Sequence, residues 1–246
     1  MNFTILRFDS IDSTNLEAIR QAHLGADEGV CVVARQQTSG RGRHGRTWVS
    51  AKDAGIYFSL ILRPKIETKF LPLITLTSAV AVFETLQEFD LNPDIKWVND
   101  IHINGKKICG ILAETAETNK GLAIIVGIGI NLKQANFSPE LNESATSIES
   151  ETQKPADADS VLQTLTCYLS KYCAILYGEN GTTQILEEWA KRSSYFFGKK
   201  VRAVLANETI LGTTCGLEDN GALRVKTKIG ELRIIQAGDV EMVRKI

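Results

Sequence analysis

Two apolar, β-branched runs, Val30 to Ala34 and Ile56 to Leu62, are separated by residues 35–55, which hold no helix-forming stretch. That gap limits what the chain can become. Thr47-Trp48-Val49 are poor helix formers, and Asp53-Ala54-Gly55 reads as a turn. The gap is filled by Gly40-Arg41-Gly42-Arg43-His44-Gly45-Arg46. Glycines allow positive φ and close approach to a ligand, while arginine forks bind carboxylates and phosphates with paired donors. A loop of this kind suits an anion; a solvated basic turn is the plain alternative. No acidic residue occurs between Glu28 and Asp53. Arg35, Arg41, Arg43, Arg46 and Lys52 therefore lack local counter-ions, and the expectation is that the countercharge arrives with a ligand over which the loop orders. Gly40, Gly42 and Gly45 also satisfy G-x-G-x-x-G, but a dinucleotide fold opens a helix inside that motif and places an acidic residue about 20 positions on. Phe58 to Ile61 offers none.

With 246 residues, 43% of them hydrophobic, the chain can bury one sizeable core and a small appended domain. A formal net charge of -1 gives no overall field for holding DNA, RNA or an anionic membrane. No apolar run approaches the roughly 20 residues of a membrane span, and the N-terminus lacks a basic region followed by an apolar one. A cytoplasmic location is expected. The cysteines at 31, 109, 167, 173 and 215 form no C-x-x-C pair, which argues against disulfides and structural zinc, and His23, His44 and His102 lack metal-ligand spacing.

The patterning predicts an α+β protein. A strand over Phe3–Phe8 precedes a helix that Thr14-Asn15-Leu16-Glu17 opens as a capping box, with Thr14 as N-cap. Strands at Val30–Gln36 and Ile56–Leu62 follow, then a core-facing helix over Leu71–Phe89. Next come Ile95–Val98, Ile101–Ile103, a hairpin turn at Asn104-Gly105, and strands Lys107–Glu114 and Leu122–Leu132. Ser138–Asp159 reads as a connecting surface segment, and helices follow at Ser160–Tyr177 and Gln184–Tyr195. Short strands near Val201–Leu205, Thr209–Leu217, Ala222–Lys226, Glu231–Gln236 and Val240–Val243 then predict a small, nearly closed β-barrel. The domain boundary is expected at 195, giving domains 1–195 and 196–246.

Four segments occur in order: Asp12-Ser13-Thr14-Asn15, the basic loop, Lys96-Trp97-Val98-Asn99-Asp100 leading to Lys107-Ile108-Cys109-Gly110-Ile111-Leu112-Ala113-Glu114, and Gly127-Ile128-Gly129-Ile130-Asn131-Leu132. In this order and spacing the chain resembles the biotin protein ligase family over nearly its whole length. The resemblance implies a catalytic domain like that of class II aminoacyl-tRNA synthetases, a mixed sheet flanked by helices, followed by an SH3-like barrel. It implies activation of biotin with MgATP to biotinyl-5′-AMP and transfer to one lysine of a biotin carboxyl carrier domain. The catalytic motif begins by residue 12, so no DNA-binding domain and no DNA function are expected. No membrane partner is expected either, and sheet edges allow a homodimer.

By the same resemblance Ser13, Thr14, Asn15 and Gln37 belong to the biotin pocket, with Gly40, Arg41, Gly42, Arg43 and Lys107 beside them. Arg41, Arg43, Arg46, Trp48, Asn99 and Asn131 fall at the ATP and adenylate positions, Arg43 and Lys107 are the catalytic cations, and Asn131 is a candidate Mg²⁺ ligand. Read locally, Thr14 is a cap, Gln37 a strand end, Trp48 a core residue and Lys107 a hairpin-flank lysine. Val98 stands where the family usually has proline. A lipoate or octanoate transferase is a rival within the same superfamily, set aside for the Arg-Gly-Arg loop and the K-x-x-G-I-L segment. A nucleic-acid module is set aside because the loop lacks interleaved aromatics.

Overall fold

The computed structural model describes residues 1–134, 139–205 and 207–242; Ser138 and Val243, the ends of two expected segments, lie outside them. The first part of the chain runs β1 (Thr4–Phe8), α1 (Thr14–His23), β2 (Val30–Ala34), β3 (Gly55–Leu62), α2 (Leu73–Gln87), β4 (Asp94–Lys96), β5 (Asp100–Ile103), β6 (Lys106–Thr118) and β7 (Gly121–Asn131). Its strands form one seven-stranded sheet in the order β1, β2, β3, β7, β6, β5, β4. Only β1 and β2 pair in parallel; the others are antiparallel. Every residue of β3 is buried, as a run apolar but for Ser59 requires of a central strand. Asn104 and Gly105 both take positive φ, 52° and 79°, the geometry a two-residue hairpin prefers.

Two readings need correction. Helix α1 begins at Thr14 with Ser13 as N-cap, the Ser13 hydroxyl accepting from the Leu16 backbone N–H, so the cap lies one residue earlier than the capping box suggests. The expected surface connection contains α3 (Pro139–Ser144) and α4 (Ile148–Thr152), and it buries Thr146, Ser147 and Ile148. These helices are too short for a periodic signal. The Ser147 side chain caps α4; Ile148 is buried in the core and Ala156 packs against it. Helices α5 (Ala158–Leu176) and α6 (Gly181–Lys191) complete this part.

Helix α2 has no polar face. Its serine and threonines at 77, 78 and 85 are buried, each returning its hydroxyl to the backbone carbonyl four residues back. The reading that no apolar run approaches a membrane span also needs correction: residues 68–87 are apolar and long enough to cross one by composition, with a mean hydropathy of 1.4, yet 67% of the window is buried within the fold, as in a core helix. The sheet lies on one side, and α5 and α6 pack on others.

The last part is a five-stranded antiparallel sheet, β8 (Phe197–Val204), β9 (Thr209–Leu217), β10 (Leu223–Thr227), β11 (Leu232–Ile235) and β12 (Asp239–Met242), in the order β11, β10, β9, β8, β12. Its turn at residues 219–221 rests on α2. A Cβ on Gly221 would sit 2.7 Å from Leu76 Cδ1, and Gly221 O accepts from Trp97 Nε1 at 3.0 Å. Gly221 also has φ of 84°. Gly221→Ala should therefore cost about 1 to 3 kcal/mol, from strain and overpacking together. Urea unfolding of the full chain measures it; a change below a few tenths would contradict this packing.

Candidate functional site

The carboxyl-side end of β2 delivers Gln37, and the N-terminus of α1 delivers Ser13, Thr14 and Asn15 against it. Gln37 Oε1 accepts from the Thr14 backbone N–H at 2.8 Å and from Thr14 Oγ1 at 3.1 Å, while Gln37 Nε2 donates to Ser50 Oγ at 2.8 Å. Ser59, fully buried on β3, donates to Asn15 Oδ1 at 2.6 Å and lies 2.8 Å from Thr14 Oγ1. Asn15 Nδ2 in turn donates to Glu114 Oε2 at 2.8 Å. The result is a connected polar patch in an apolar sheet, as buried polar groups require.

Glycines shape the sheet beneath it. A Cβ on Gly127 would meet Asn15 Oδ1 at 2.1 Å, and one on Gly129 would meet Trp48 Cε2 at 2.5 Å. Alternate positions of β7 point to one face, so the missing side chains open adjoining recesses for the pocket amide and the loop indole. Lys107 Nζ lies 5.3 Å from the centre of the Trp48 ring.

The basic loop is not without counter-ions. Arg41 pairs with Glu114 at 3.0 Å, Arg46 with Asp239, Arg35 with Asp9 and Asp53, and Lys52 with Asp9. Arg43 Nη1 donates to Asn99 Oδ1 at 2.9 Å and to Gly238 O at 3.4 Å. Most of these partners are distant in sequence and reach the loop only through the fold, which is why local charge counting misses them.

Loop and sheet enclose one cavity lined by Ser13, Thr14, Asn15, Gln37, Arg41, Gly42, Arg43, Trp48, Asn99 and Lys107. An adjoining cavity is lined by Arg43, Arg46, Trp48, Asn99, Asp100, His102, Lys107, Asn131 and Asp239. In the second, Lys107 Nζ lies 2.7 Å from Asp100 Oδ1. Burial pushes the Asp100 carboxyl up, but His102 at 4.0 Å and the charges of Lys107 and Lys96 outweigh it and hold the group well below the usual aspartate range. Asn131 Nδ2 donates to Thr146 O at 2.9 Å, which fixes the amide at the cavity wall. The Trp97–Val98 peptide bond that precedes Asn99 is cis.

Residues 7–131 match the model of the biotin/lipoate A/B protein ligase family, and residues 196–243 match that of the biotin protein ligase C-terminal domain. The chain belongs to the biotin/lipoate A/B protein ligase family. It is 38% identical to the bifunctional ligase/repressor BirA of Bacillus subtilis, across 97% of this chain and 74% of that protein. With the biotin acetyl-CoA-carboxylase ligase of Paracoccus denitrificans it shares 32% identity, across 93% and 96% of the two chains. The solved biotin protein ligase from Aquifex aeolicus in complex with biotin and ATP superposes with a TM-score of 0.85 at 29% identity, covering 98% and 99% of the two chains.

The two adjoining cavities are lined by the site residues singled out in sequence except Gly40, which lies in the loop beside Ser50, its carbonyl accepting from the Trp48 backbone N–H at 2.9 Å. Sequence reasoning missed Ser50, Ser59, Asp239 and any role for Glu114. A serine inside the apolar run of β3 was the one available signal. Asp100→Asn should destabilise the fold by about 1.5 to 3 kcal/mol near neutrality, the range for a hydrogen bond to a charged group. Because the native carboxyl titrates below its unfolded value, its contribution is fully present above about pH 4 and fades as pH falls further. The variant should accordingly show a shallower acid limb in stability against pH, measured by urea unfolding; parallel limbs would refute this.

Proposed function

We propose that this chain is a biotin protein ligase that uses biotin and ATP as substrates and transfers biotin to a lysine of a biotin carboxyl carrier domain. The observation that carries the reading is the pair of adjoining cavities. One has hydroxyls and amides that both donate and accept, as a cyclic urea needs; the other is lined by four cations, Arg43, Arg46, Lys96 and Lys107. Arg43, Trp48 and Lys107 border both. The acid and the nucleotide would meet at that boundary.

In the first step a carboxylate oxygen of biotin attacks the α-phosphorus of ATP, an O–P bond forms, and pyrophosphate leaves. Two anions must approach, so Arg43 and Lys107 act by lowering the local potential where charge gathers on phosphorus. Asp100 and Asn99 hold these two cations in place before substrate arrives. Arg46 suits the triphosphate and would exchange Asp239 for it. In the second step the carrier amine attacks the acyl carbon, the C–N bond forms, and AMP departs with the electron pair. Trp48 and the loop cover the mixed anhydride and exclude water meanwhile.

Among the described residues no cluster of three or more His, Cys, Asp or Glu could hold a metal. That suits Mg²⁺ carried mainly by phosphates and water, with Asn131 offering a neutral oxygen ligand. When bound, the ion would offset triphosphate charge. We also assign residues 1–195 to catalysis and 196–246 to a C-terminal unit, supported by the start of β8 at Phe197. The cytoplasm, where ATP and carboxylases meet, is the proposed place of action.

Biotin-dependent exchange of pyrophosphate into ATP tests the reading directly; exchange with lipoate and none with biotin would overturn it. Lys107→Ala should slow that exchange about a hundredfold, as losing an electrostatic stabiliser does elsewhere. Arg43→Gly should release adenylate into solution and label bystander lysines. Retention equal to wild type would refute Arg43's role.

A further inference from the structure

Glu114 has no part in the chemistry above, yet its two oxygens face two different components of the site. Oε2 accepts from Asn15 Nδ2 at 2.8 Å, and Oε1 pairs with Arg41 Nη2 at 3.0 Å. Asn15 is the fixed end: it is 4% exposed, seated over Gly127, and tied to Ser59 and to Leu112 O. Arg41 is the loop end. Its side chain is 41% exposed, and its backbone belongs to the tight hairpin closed by Gly42 N–H to Arg46 O and Trp48 N–H to Gly40 O.

We infer that Glu114 is a positioning residue that joins the amide floor of the pocket to the arginine loop, so that one carboxylate both orients Asn15 and holds the loop shut over the bound acyl-adenylate. The inference rests on the proposed function. Asn15 cannot turn away without loosening Glu114, and the loop cannot lift without breaking a charged contact. A ligand seated against Asn15 therefore stabilises the closed loop through Glu114, in addition to any contact it makes with Arg41 on the cavity wall. A purely structural carboxylate would stabilise the strand and leave the retention of ligand unaffected.

Release of preformed biotinyl-adenylate, followed by chase with unlabelled biotin and ATP, reads the link. Glu114→Gln keeps an acceptor for Asn15 but removes the charge facing Arg41, and it should speed release about three- to fivefold, given the partial exposure of the pair. Arg41→Gln should do the same. The double variant should be no faster than Arg41→Gln alone, since the Glu114 change then has no charged contact left to remove. Glu114→Leu, which also leaves Asn15 Nδ2 without that acceptor, should in addition raise the Kd for biotin measured without ATP. Additive effects in the double variant, or wild-type release from Glu114→Gln, would overturn the link. If Glu114→Gln does not fold, Arg41→Gln alone decides, because unchanged release there has the same meaning. A wild-type chain that forms no adenylate would instead overturn the functional reading, so the two failures are distinct.

Discussion

Helix α2 must be covered on every side, and the rest of the molecule is arranged to do it. A helix with one apolar stripe can lie on a sheet and face water with its back; this one cannot. The seven-stranded sheet takes one side, α5 and α6 take others, and the turn around Gly221 closes over Leu73 and Leu76. The second sheet is thus held against α2 through its 219–221 turn by burial of apolar surface. Its edge strand β12 then presents Gly238 and Asp239 to the basic loop. The placement of two arginines in the site follows from the covering of a helix far behind them.

Much of this was readable in the chain. Period and turn chemistry gave nearly every strand, because the runs are long and the turns carry asparagine and glycine in the conformations those residues favour. The site was legible where it is local: the hydroxyl motif, the basic loop and the lysine after the hairpin. What escaped depends on strand pairing. Glu114 reaches Asn15 only because β6 passes beside α1, and Ser59 matters only because β3 runs beneath it. The N-cap was misplaced by one residue because Ser13 and Thr14 are adjacent hydroxyls, and only backbone geometry separates them. Charge was misjudged for a related reason, since most counter-ions of the loop lie in other strands.

Self-pairing of the arginines changes how ligand affinity should be understood. Each cation meets substrate having already given up part of its hydration to a carboxylate or amide of the protein. Under the proposed function, binding a triphosphate at Arg46 would be an exchange of partners, because Arg46 already pairs with Asp239, and would gain less than the bare charge suggests. Arg43 faces the neutral amide of Asn99, and under the same proposal it would keep more of its charge for the reacting phosphate. The loop can thereby be ordered and still receptive, with the most reactive position left the least neutralised.

The glycines at 127 and 129 give the recognition surface an unusual limit. Its depth comes from side chains that are absent, so trimming the strand further cannot enlarge it. A variant intended to take a bulkier acid would have to be cut back at Asn15 or Trp48, and each of those already supports something else. Under the proposed function, a larger ligand would meet backbone at the strand, and room for it would have to come from the lid. Selectivity for size is written into backbone that has nothing left to lose.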